Sequence, residues 1–215
     1  MKLGFRMASR SARPRPRKAV RQARQARSKN TVEAIIEAAT RILANDGWDA
    51  LNTNAIARIA GVSIGSVYEY FPNKEAIVDV IIDRHLSSGE ARLAEVAANA
   101  PDELPLEKVV KLLVRGFVDI HCDDPKLHRA LSGEVPLSSI QRARVDGIRN
   151  QTIQLVKGLM EGSIENTDLK ATIMIDAADA LTHRWFVDEI GIPASPDVMS
   201  QELKRMLRSY LTQSN

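Results

Sequence analysis

Residue types that can contact nucleic acid are concentrated in one stretch, GVSIGSVYEYFPNK, which runs from Gly61 to Lys74. It holds two of the chain's three tyrosines, together with serine hydroxyls, two glycines and a closing lysine. Short hydroxyls and tyrosines on a helix can reach phosphate oxygens and base edges in the major groove. The composition therefore predicts a surface that binds nucleic acid. A packed corner of the fold is the alternative, and the spacing of the apolar residues distinguishes the two.

Two short helices around a glycine turn are predicted to position these side chains, with the spacing of a helix-turn-helix. Ala57 is the small residue where the helices cross, Gly61 suits a turn with positive φ, and Val67 anchors the second helix. The other inward positions are Ile56, Ala60 and Val62. The hydroxyl of Thr53 is expected to cap the first helix. A helical hairpin of the same geometry that binds no DNA is the alternative.

The outward face of the second helix is the predicted DNA-contacting surface. Its residues are Ser63, Ile64, Gly65, Ser66, Tyr68 and Tyr70. Gly65 leaves a gap through which the backbone can approach DNA closely. Lys74 begins the next helix, where its side chain can reach a phosphate. Phe71 is assigned to the fold, beneath the start of that helix.

The segment TNAIARIAGVSIGSVYEYFPNKEAI resembles the DNA-binding signature of the TetR family of bacterial transcriptional regulators, and the resemblance covers about residues 31–84. It implies that Thr53 and Lys74 bind phosphates and that the six outward residues line the groove. Many members of the family carry histidine where this chain has Tyr70, which keeps a hydrogen-bonding tip but has no cationic form. The resemblance also implies nine helices and an effector pocket among the middle helices, in a repressor that a small molecule releases from its operator.

Apolar residues recur every three to four positions after the N-terminal segment, and strand-like alternation is not evident. We therefore expect an all-α protein of about nine helices, the first of which ends at Gly47. A three-helix DNA-binding domain is assigned to residues 29–75, and a helical ligand-binding and dimerisation domain to residues 76–215. The single cysteine, Cys122, suits a reducing compartment. With no secretory signal and no apolar run of about eighteen residues, we expect a cytoplasmic protein that does not bind membranes.

Charge is distributed very unevenly along the chain. Residues 1–30 carry eleven lysines and arginines and no acid, while the other 185 residues hold 19 basic and 27 acidic groups, a net charge of −8. Residues 31–75 alone have three basic and six acidic groups. We therefore interpret residues 1–28 as a disordered basic arm that supplies the attraction to phosphate which the helix-turn-helix lacks. A solubilising leader is the alternative.

The remaining helices are expected to form a dimer interface and a pocket. One recognition helix reads only a few base pairs, so we expect a homodimer on palindromic double-stranded DNA. The last two helices would form a four-helix bundle with their copies, unless their apolar faces pack only within one chain. The residues assigned to the interface are Ile173, Ala177, Leu181, Phe186, Leu203, Leu207 and Tyr210. The residues assigned by type to the effector pocket that the resemblance implies are Phe117, His121, Met160, Met174 and Trp185, because pockets are mostly apolar with a few polar groups. Packing in the core is the alternative for the two methionines and the tryptophan.

The segment HCDDPKLH, from His121 to His128, is the candidate for a metal or nucleophilic site. Its two histidines are separated by Pro125 and do not have the spacing of a compact zinc-ligand pair. No partner motif recurs, and no phosphate-binding glycine loop is present. We therefore expect a solvated loop at a helix end, with no metal, no cofactor and no enzymatic activity. A helix-turn-helix adaptor regulated by a protein partner is the alternative function.

Overall fold

The structure, a computed structural model, describes residues 17–99, 104–160, 165–188 and 194–212. Over these ranges the chain forms nine α-helices, two short π-helical segments and no strand, which confirms the all-α prediction. The elements are α1 (Arg17–Ala50), α2 (Thr53–Ala60), α3 (Ile64–Tyr70), α4 (Lys74–Asn99), α5 (Leu106–Asp123), α6 (Pro125–Arg129), π1 (Ala130–Glu134), α7 (Ser139–Met160), α8 (Thr167–Thr182), π2 (His183–Val187) and α9 (Pro196–Thr212). None of the helices described is long and apolar enough to cross a lipid bilayer.

The first helix differs from expectation at its start. It begins at Arg17, directly after Pro16 in the sequence, and Gly47 interrupts it with a φ of 81°. Alanine, arginine and glutamine, which are good helix formers, dominate residues 17–28, and proline is tolerated at a helix start but not in its interior. Residues 17–28 are therefore helical where the sequence indicated a disordered arm. Residues 1–16 of that arm lie outside the described residues.

The helix-turn-helix consists of α2 and α3. The N-cap of α2 is Asn52, whose side chain accepts a hydrogen bond from the backbone N–H of Ala55 at 2.9 Å. The prediction that Thr53 caps α2 is therefore wrong. Asn52 lies one residue earlier, and asparagine is at least as good an N-cap as threonine. Gly61 has the predicted positive φ, 68°. Ser63 is the N-cap of α3.

One hydrophobic core joins α1–α4 to π1. Ile56 and Val67 are fully buried in it and Ala57 is 5% exposed, as the spacing predicted, and Phe71 is also buried. Beyond residue 75, the core also includes Ile77, Val78, Ile81, Ile82, Ala130, Leu131 and Val135. Separating the DNA-binding helices from π1 would therefore expose apolar surface, at about 25 cal/mol for each Å².

A second core fills the body, which we define as α5 and α7–α9. Its fully buried side chains include Val114, Met160, Met174 and Leu203. The two cores are separate clusters, and α4 runs along the first of them.

Ion pairs fix α4 between its neighbours. Arg84 of α4 donates two hydrogen bonds, each 2.7 Å long, to the carboxylate of Glu33 in α1. From the other side, the guanidinium of Arg144 in α7 contacts Asp83 at 2.6 Å and Glu90 at 2.8 Å. The helix that follows the helix-turn-helix is thus tied both to α1 and to the body.

Candidate nucleic-acid interface

Two hydroxyl groups from different helices meet on the exposed side of the helix-turn-helix. Thr53 Oγ1 and Tyr68 Oη lie 3.2 Å apart. Tyr68 is 55% exposed although it is aromatic. Each hydroxyl has one donor and two acceptor positions, so the pair keeps capacity for further hydrogen bonds. The arrangement can therefore contact a phosphate or a base edge from α2 and α3 together.

The first turn of α3 adds further polar groups. Ser63 Oγ accepts a hydrogen bond from the backbone N–H of Ser66 at 3.0 Å and lies 2.8 Å from Ser66 Oγ. A Cβ added to Gly65 would contact only Ser63 Oγ, at 3.8 Å, so the packing of this chain does not require a glycine there. The absent side chain instead leaves the backbone of α3 open to close approach by another molecule.

Ile64 and Tyr70 lie at opposite ends of α3 and differ in burial. Ile64 is 39% exposed, and an apolar side chain in this position suits contact with a thymine methyl group. Tyr70 is half-buried and packs against the first core. Tyr70 therefore supports the fold as well as the predicted surface.

Lys74 begins α4 next to the helix-turn-helix. Its Nζ donates a hydrogen bond to the backbone oxygen of Trp48 at 3.3 Å and lies 3.9 Å from the centroid of the Trp48 ring. An ammonium group has three donors, so this hydrogen bond leaves two for a phosphate. Trp48 thus holds the lysine to which the family resemblance assigns a phosphate.

The eight residues predicted to contact DNA therefore fall into two groups by burial. Ser63, Ile64, Gly65 and Tyr68 are exposed, and Thr53, Ser66, Tyr70 and Lys74 are half-buried. None is shut inside the core, which is compatible with a binding role for each. Their individual contacts with DNA stay predictions.

Two family models together match most of the chain. "Bacterial regulatory proteins, tetR family" matches residues 35–81, and "Tetracyclin repressor-like, C-terminal domain" matches residues 105–211. The chain belongs to the TetR family. The resemblance inferred from the helix-turn-helix segment is confirmed, and this TetR-family chain is a DNA-binding transcriptional regulator.

Individual relatives agree with this assignment. The HTH-type transcriptional regulator TtgR of Pseudomonas putida is 25% identical over 185 residues, 80% of this chain and 86% of that protein. A bacterial regulatory protein in the tetR family from Rhodococcus RHA1 has a TM-score of 0.66 at 19% identity, over 86% of this chain and 98% of its own. The regulator FadR from Bacillus subtilis, solved in complex with stearoyl-CoA, has a TM-score of 0.60 at 19% identity, over 81% and 96%. The two structures show a shared fold.

All four histidines of this TetR-family chain meet between the two cores. They come from four elements: His85 from α4, His121 from α5, His128 from α6 and His183 from π2. The ring centroids of His128 lie 5.2, 4.8 and 5.4 Å from those of His85, His121 and His183, respectively. We call these four side chains the histidine cluster.

Burial keeps most of the histidine cluster neutral. It lowers the pKa of His85 and of His121, and burial together with the charges of the three other rings lowers the pKa of His128 to about 3. His121 Nδ1 donates to the backbone oxygen of Phe117 at 2.7 Å. His128 Nδ1 is buried and makes no hydrogen bond within the described part of the chain. A buried polar atom of this kind is a natural contact for a ligand.

The predicted pocket residues lie around this cluster and in the core beside it. Met160 and Met174 are fully buried in the second core, whereas Phe117 and Trp185 are half-buried at its edge. The ring of His121 stacks on that of Phe117 with 6.2 Å between centroids. That these five residues line a ligand site stays a prediction.

The HCDDPKLH segment is only in part the solvated loop that we expected. Asp123 and Asp124 are exposed, but His121 and His128 turn inward into the histidine cluster. The spacing along the chain did not predict that the two histidines meet. They do so because α5 ends at Asp123 and α6 packs against it. Among the residues described, no three His, Cys, Asp or Glu side chains are arranged to hold a metal ion.

The residues assigned to the dimer interface are divided by the structure. Leu203 and Leu207 are each 1% exposed inside a single chain, so they belong to its core and not to its surface. Ile173 is 40% exposed. The other four, Ala177, Leu181, Phe186 and Tyr210, are half-buried. Leu169 on α8 and Val198 on α9 are exposed apolar side chains that the assignment left out, and Met206, on the apolar face predicted for the last helix, is exposed as well.

Asn52, Trp48 and His85 contribute to these sites but were not predicted from the sequence. The capping role of Asn52 could have been predicted, because asparagine is at least as good an N-cap as threonine. The contacts of Trp48 and His85 could not, because their partners Lys74 and His128 lie far along the chain. Only the tertiary fold brings such pairs together.

Replacing Tyr68 with phenylalanine should weaken operator binding by about 2- to 10-fold, the cost of one lost hydrogen bond. Because the ring is 55% exposed, the free energy of unfolding should change by less than about 0.5 kcal/mol. Fluorescence anisotropy with labelled operator measures the first quantity and urea denaturation the second. Ser88→Ala, which removes an exposed hydroxyl on α4, is the control and should bind as the parent does. Parental affinity in Tyr68→Phe would remove the role assigned to this hydroxyl.

Acid should destabilise the protein through His128. An unfolded histidine gains a proton near its ordinary pKa of about 6.5, whereas folded His128 has a pKa of about 3. Protons therefore favour the unfolded chain over this interval, and stability falls as the pH drops. Urea denaturation at pH 7.5 and 5.5 should show a loss of about 1 kcal/mol from this residue. His128→Gln should lose that part of the pH dependence; an unchanged dependence would contradict the buried, neutral state.

Proposed function

We propose that this regulator is a ligand-responsive repressor that binds a palindromic operator as a homodimer and is released when a small molecule binds its body. The observation that carries the DNA-reading part is the Thr53–Tyr68 hydroxyl pair on the exposed face of the helix-turn-helix. A 55% exposed tyrosine contributes little to the core. Its position on the second helix of the motif suits base or phosphate contact in the major groove.

The basic N-terminal segment supplies the non-specific attraction to DNA. Residues 31–75 have twice as many acidic as basic groups, so they alone repel phosphate on balance. The eleven basic groups of residues 1–30 reverse this. We assign to residues 10–29 a contribution to affinity with little effect on sequence preference, because phosphate contacts carry no direct sequence information.

The effector site is assigned to the histidine cluster and the aromatic residues beside it. Phe117 and Trp185 supply half-buried apolar surface, and the buried Nδ1 of His128 is a hydrogen-bonding group with no partner in the described structure. These features suit a largely apolar effector that carries at least one hydrogen-bonding group. Acyl-CoA esters are reasonable first probes, because FadR from Bacillus subtilis was solved with stearoyl-CoA.

The homodimer is assigned to the outer faces of α8 and α9. Leu169, Ile173, Val198 and Met206 leave apolar surface exposed on these two helices. Pairing them with a second copy would bury that surface in a four-helix bundle. The two recognition helices would then address successive major grooves, about 34–36 Å apart. Since the protein has no catalytic part in this scheme, we infer that it acts by binding alone, in the bacterial cytoplasm.

Selection of bound DNA from a random pool tests the proposal. The purified chain should enrich sequences with two inverted half-sites whose centres lie about one helical turn, or a multiple of it, apart. Repeating the selection with acyl-CoA esters or other candidate effectors should reduce recovery of the same sites when a candidate binds. Recovery of no common sequence, or of sites without inverted symmetry, would contradict the proposed operator binding.

Neutralising the basic segment should flatten the salt dependence of operator binding. A variant that lacks residues 1–16 and carries glutamine at the basic positions of 17–29 keeps helix-forming residues in α1. Every phosphate that the variant no longer neutralises should reduce the slope of log affinity against log salt by about 0.9. Arg115→Gln with Lys111→Gln, both exposed on α5, is the control. An unchanged slope in the N-terminal variant would rule out the assigned role.

A further inference from the structure

A side chain that follows the histidine cluster along the chain reaches the DNA-binding domain. Glu134 is the last residue of π1, and its Oε2 accepts a hydrogen bond from the backbone N–H of Trp48 at 2.8 Å. Trp48 lies just before the helix-turn-helix, in the last turn of α1. This hydrogen bond directly joins π1 to the segment that leads into α2.

Gly47 admits the Glu134 carboxylate to this position. A Cβ at residue 47 would lie 2.7 Å from Glu134 Oε2, closer than real contacts allow. Gly47 also has a φ of 81°, which side-chain-bearing residues rarely adopt. The backbone here is thus shaped both to end the main part of α1 and to receive the carboxylate.

Trp48, which Glu134 holds through its backbone N–H, also contacts Lys74. Its backbone oxygen accepts the Lys74 Nζ hydrogen bond at 3.3 Å, and its ring lies 3.9 Å below the same ammonium. A cation over an indole ring is attracted to the ring face. One tryptophan thus contacts Glu134 through its N–H and Lys74 through its oxygen and its ring, so displacing Trp48 must alter the position of the lysine.

π1 is also anchored on its other side. Ser132 Oγ lies 3.1 Å from His183 Nε2 in the histidine cluster and donates a hydrogen bond to the backbone oxygen of His128 at 2.8 Å. The Arg129 side chain, just before π1, donates to the backbone oxygen of Val187 in π2. A rearrangement of the cluster would therefore move π1, and short π-helical segments often occur at functional sites.

We propose that Glu134 is a positioning residue for DNA binding, which holds Lys74 in its phosphate-binding position through Trp48 and releases it when the histidine cluster rearranges. This inference rests on the proposed function, because it takes Lys74 to bind phosphate and the cluster to bind the effector. An effector that favours a different arrangement of π1 would weaken operator binding by its differential affinity for the two arrangements. Glu134 touches no DNA in this scheme and acts only through Trp48.

A double-mutant cycle tests this link on the operator selected above. Lys74→Ala should weaken operator binding in the parent by about 5- to 10-fold and reduce the salt slope by about 0.9. In the Glu134→Ala background, where Lys74 is no longer held, the same change should cost at most about 2-fold. Glu134→Gln keeps an oxygen that can accept from Trp48 and should retain most of the Lys74 effect. Glu95→Ala, at an exposed site on α4, is the control background.

Each outcome is decisive. Any general effect of removing the negative charge of Glu134 is the same whether residue 74 is lysine or alanine, so it cancels in the cycle. If Lys74→Ala costs the same with and without Glu134, or if Glu134→Gln uncouples Lys74 as fully as Glu134→Ala, the inference is overturned. Should Glu134→Ala fail to fold by circular dichroism, Glu134→Asp, whose carboxylate is one methylene short of Trp48, replaces it. Failure of the proposed function is distinguished because the parent would then select no operator.

Discussion

The packing of the helix-turn-helix onto α1, α4 and π1 is the constraint on which the other features of this regulator depend. Ile56 and Val67 are completely buried there, and this fixes which side of α3 faces outward. Because Ala130 and Leu131 belong to the same core, the recognition helix is packed as one body with a segment from the middle of the chain. Close-packed interiors transmit displacement, since small gaps cost packing energy on every side. In the proposed mechanism, motion of π1 would therefore reach the predicted DNA-contacting surface.

In the proposed function, affinity and sequence reading are carried by different parts of this chain. The helix-turn-helix presents neutral hydroxyls, and its segment has an excess of acid, so it has little means of holding DNA from a distance. The basic N-terminal segment carries the positive charge, and the attraction of that charge to phosphate is independent of base sequence. Since α1 begins at Arg17, part of that charge is carried on a helix continuous with the DNA-binding domain. If Tyr68 contacts DNA as proposed, substitutions there should alter recognition without loss of the general attraction.

The sequence predicted well those features that depend on local spacing. The inward positions Ala57 and Val67, the turn at Gly61 and the all-α architecture were accessible because helices repeat every 3.6 residues and glycine marks turns. The contact between Lys74 and Trp48 and the convergence of four histidines were not, because they depend on how distant helices pack. Leu203 shows the same limit: its helical face was correctly identified as apolar, but spacing does not reveal which neighbour covers it.

The region between the two cores, which we call the seam, contains the histidine cluster and is polar. This polarity suits the switch proposed above. Hydrogen bonds need a defined distance and angle between two atoms, so polar contacts between the two cores favour a few discrete arrangements. Ser132 with His183, and Glu134 with Trp48, are bonds of this kind on the two sides of π1. Burial lowers the pKa of His85, His121 and His128, so these three rings do not hold the two cores together by charge, and the buried Nδ1 of His128 is the atom that we propose for contact with a ligand. In the proposed mechanism, ligand binding at the cluster exchanges one set of bonds for another, and the first core, which includes residues of both π1 and α3, would convert that exchange into movement of α3.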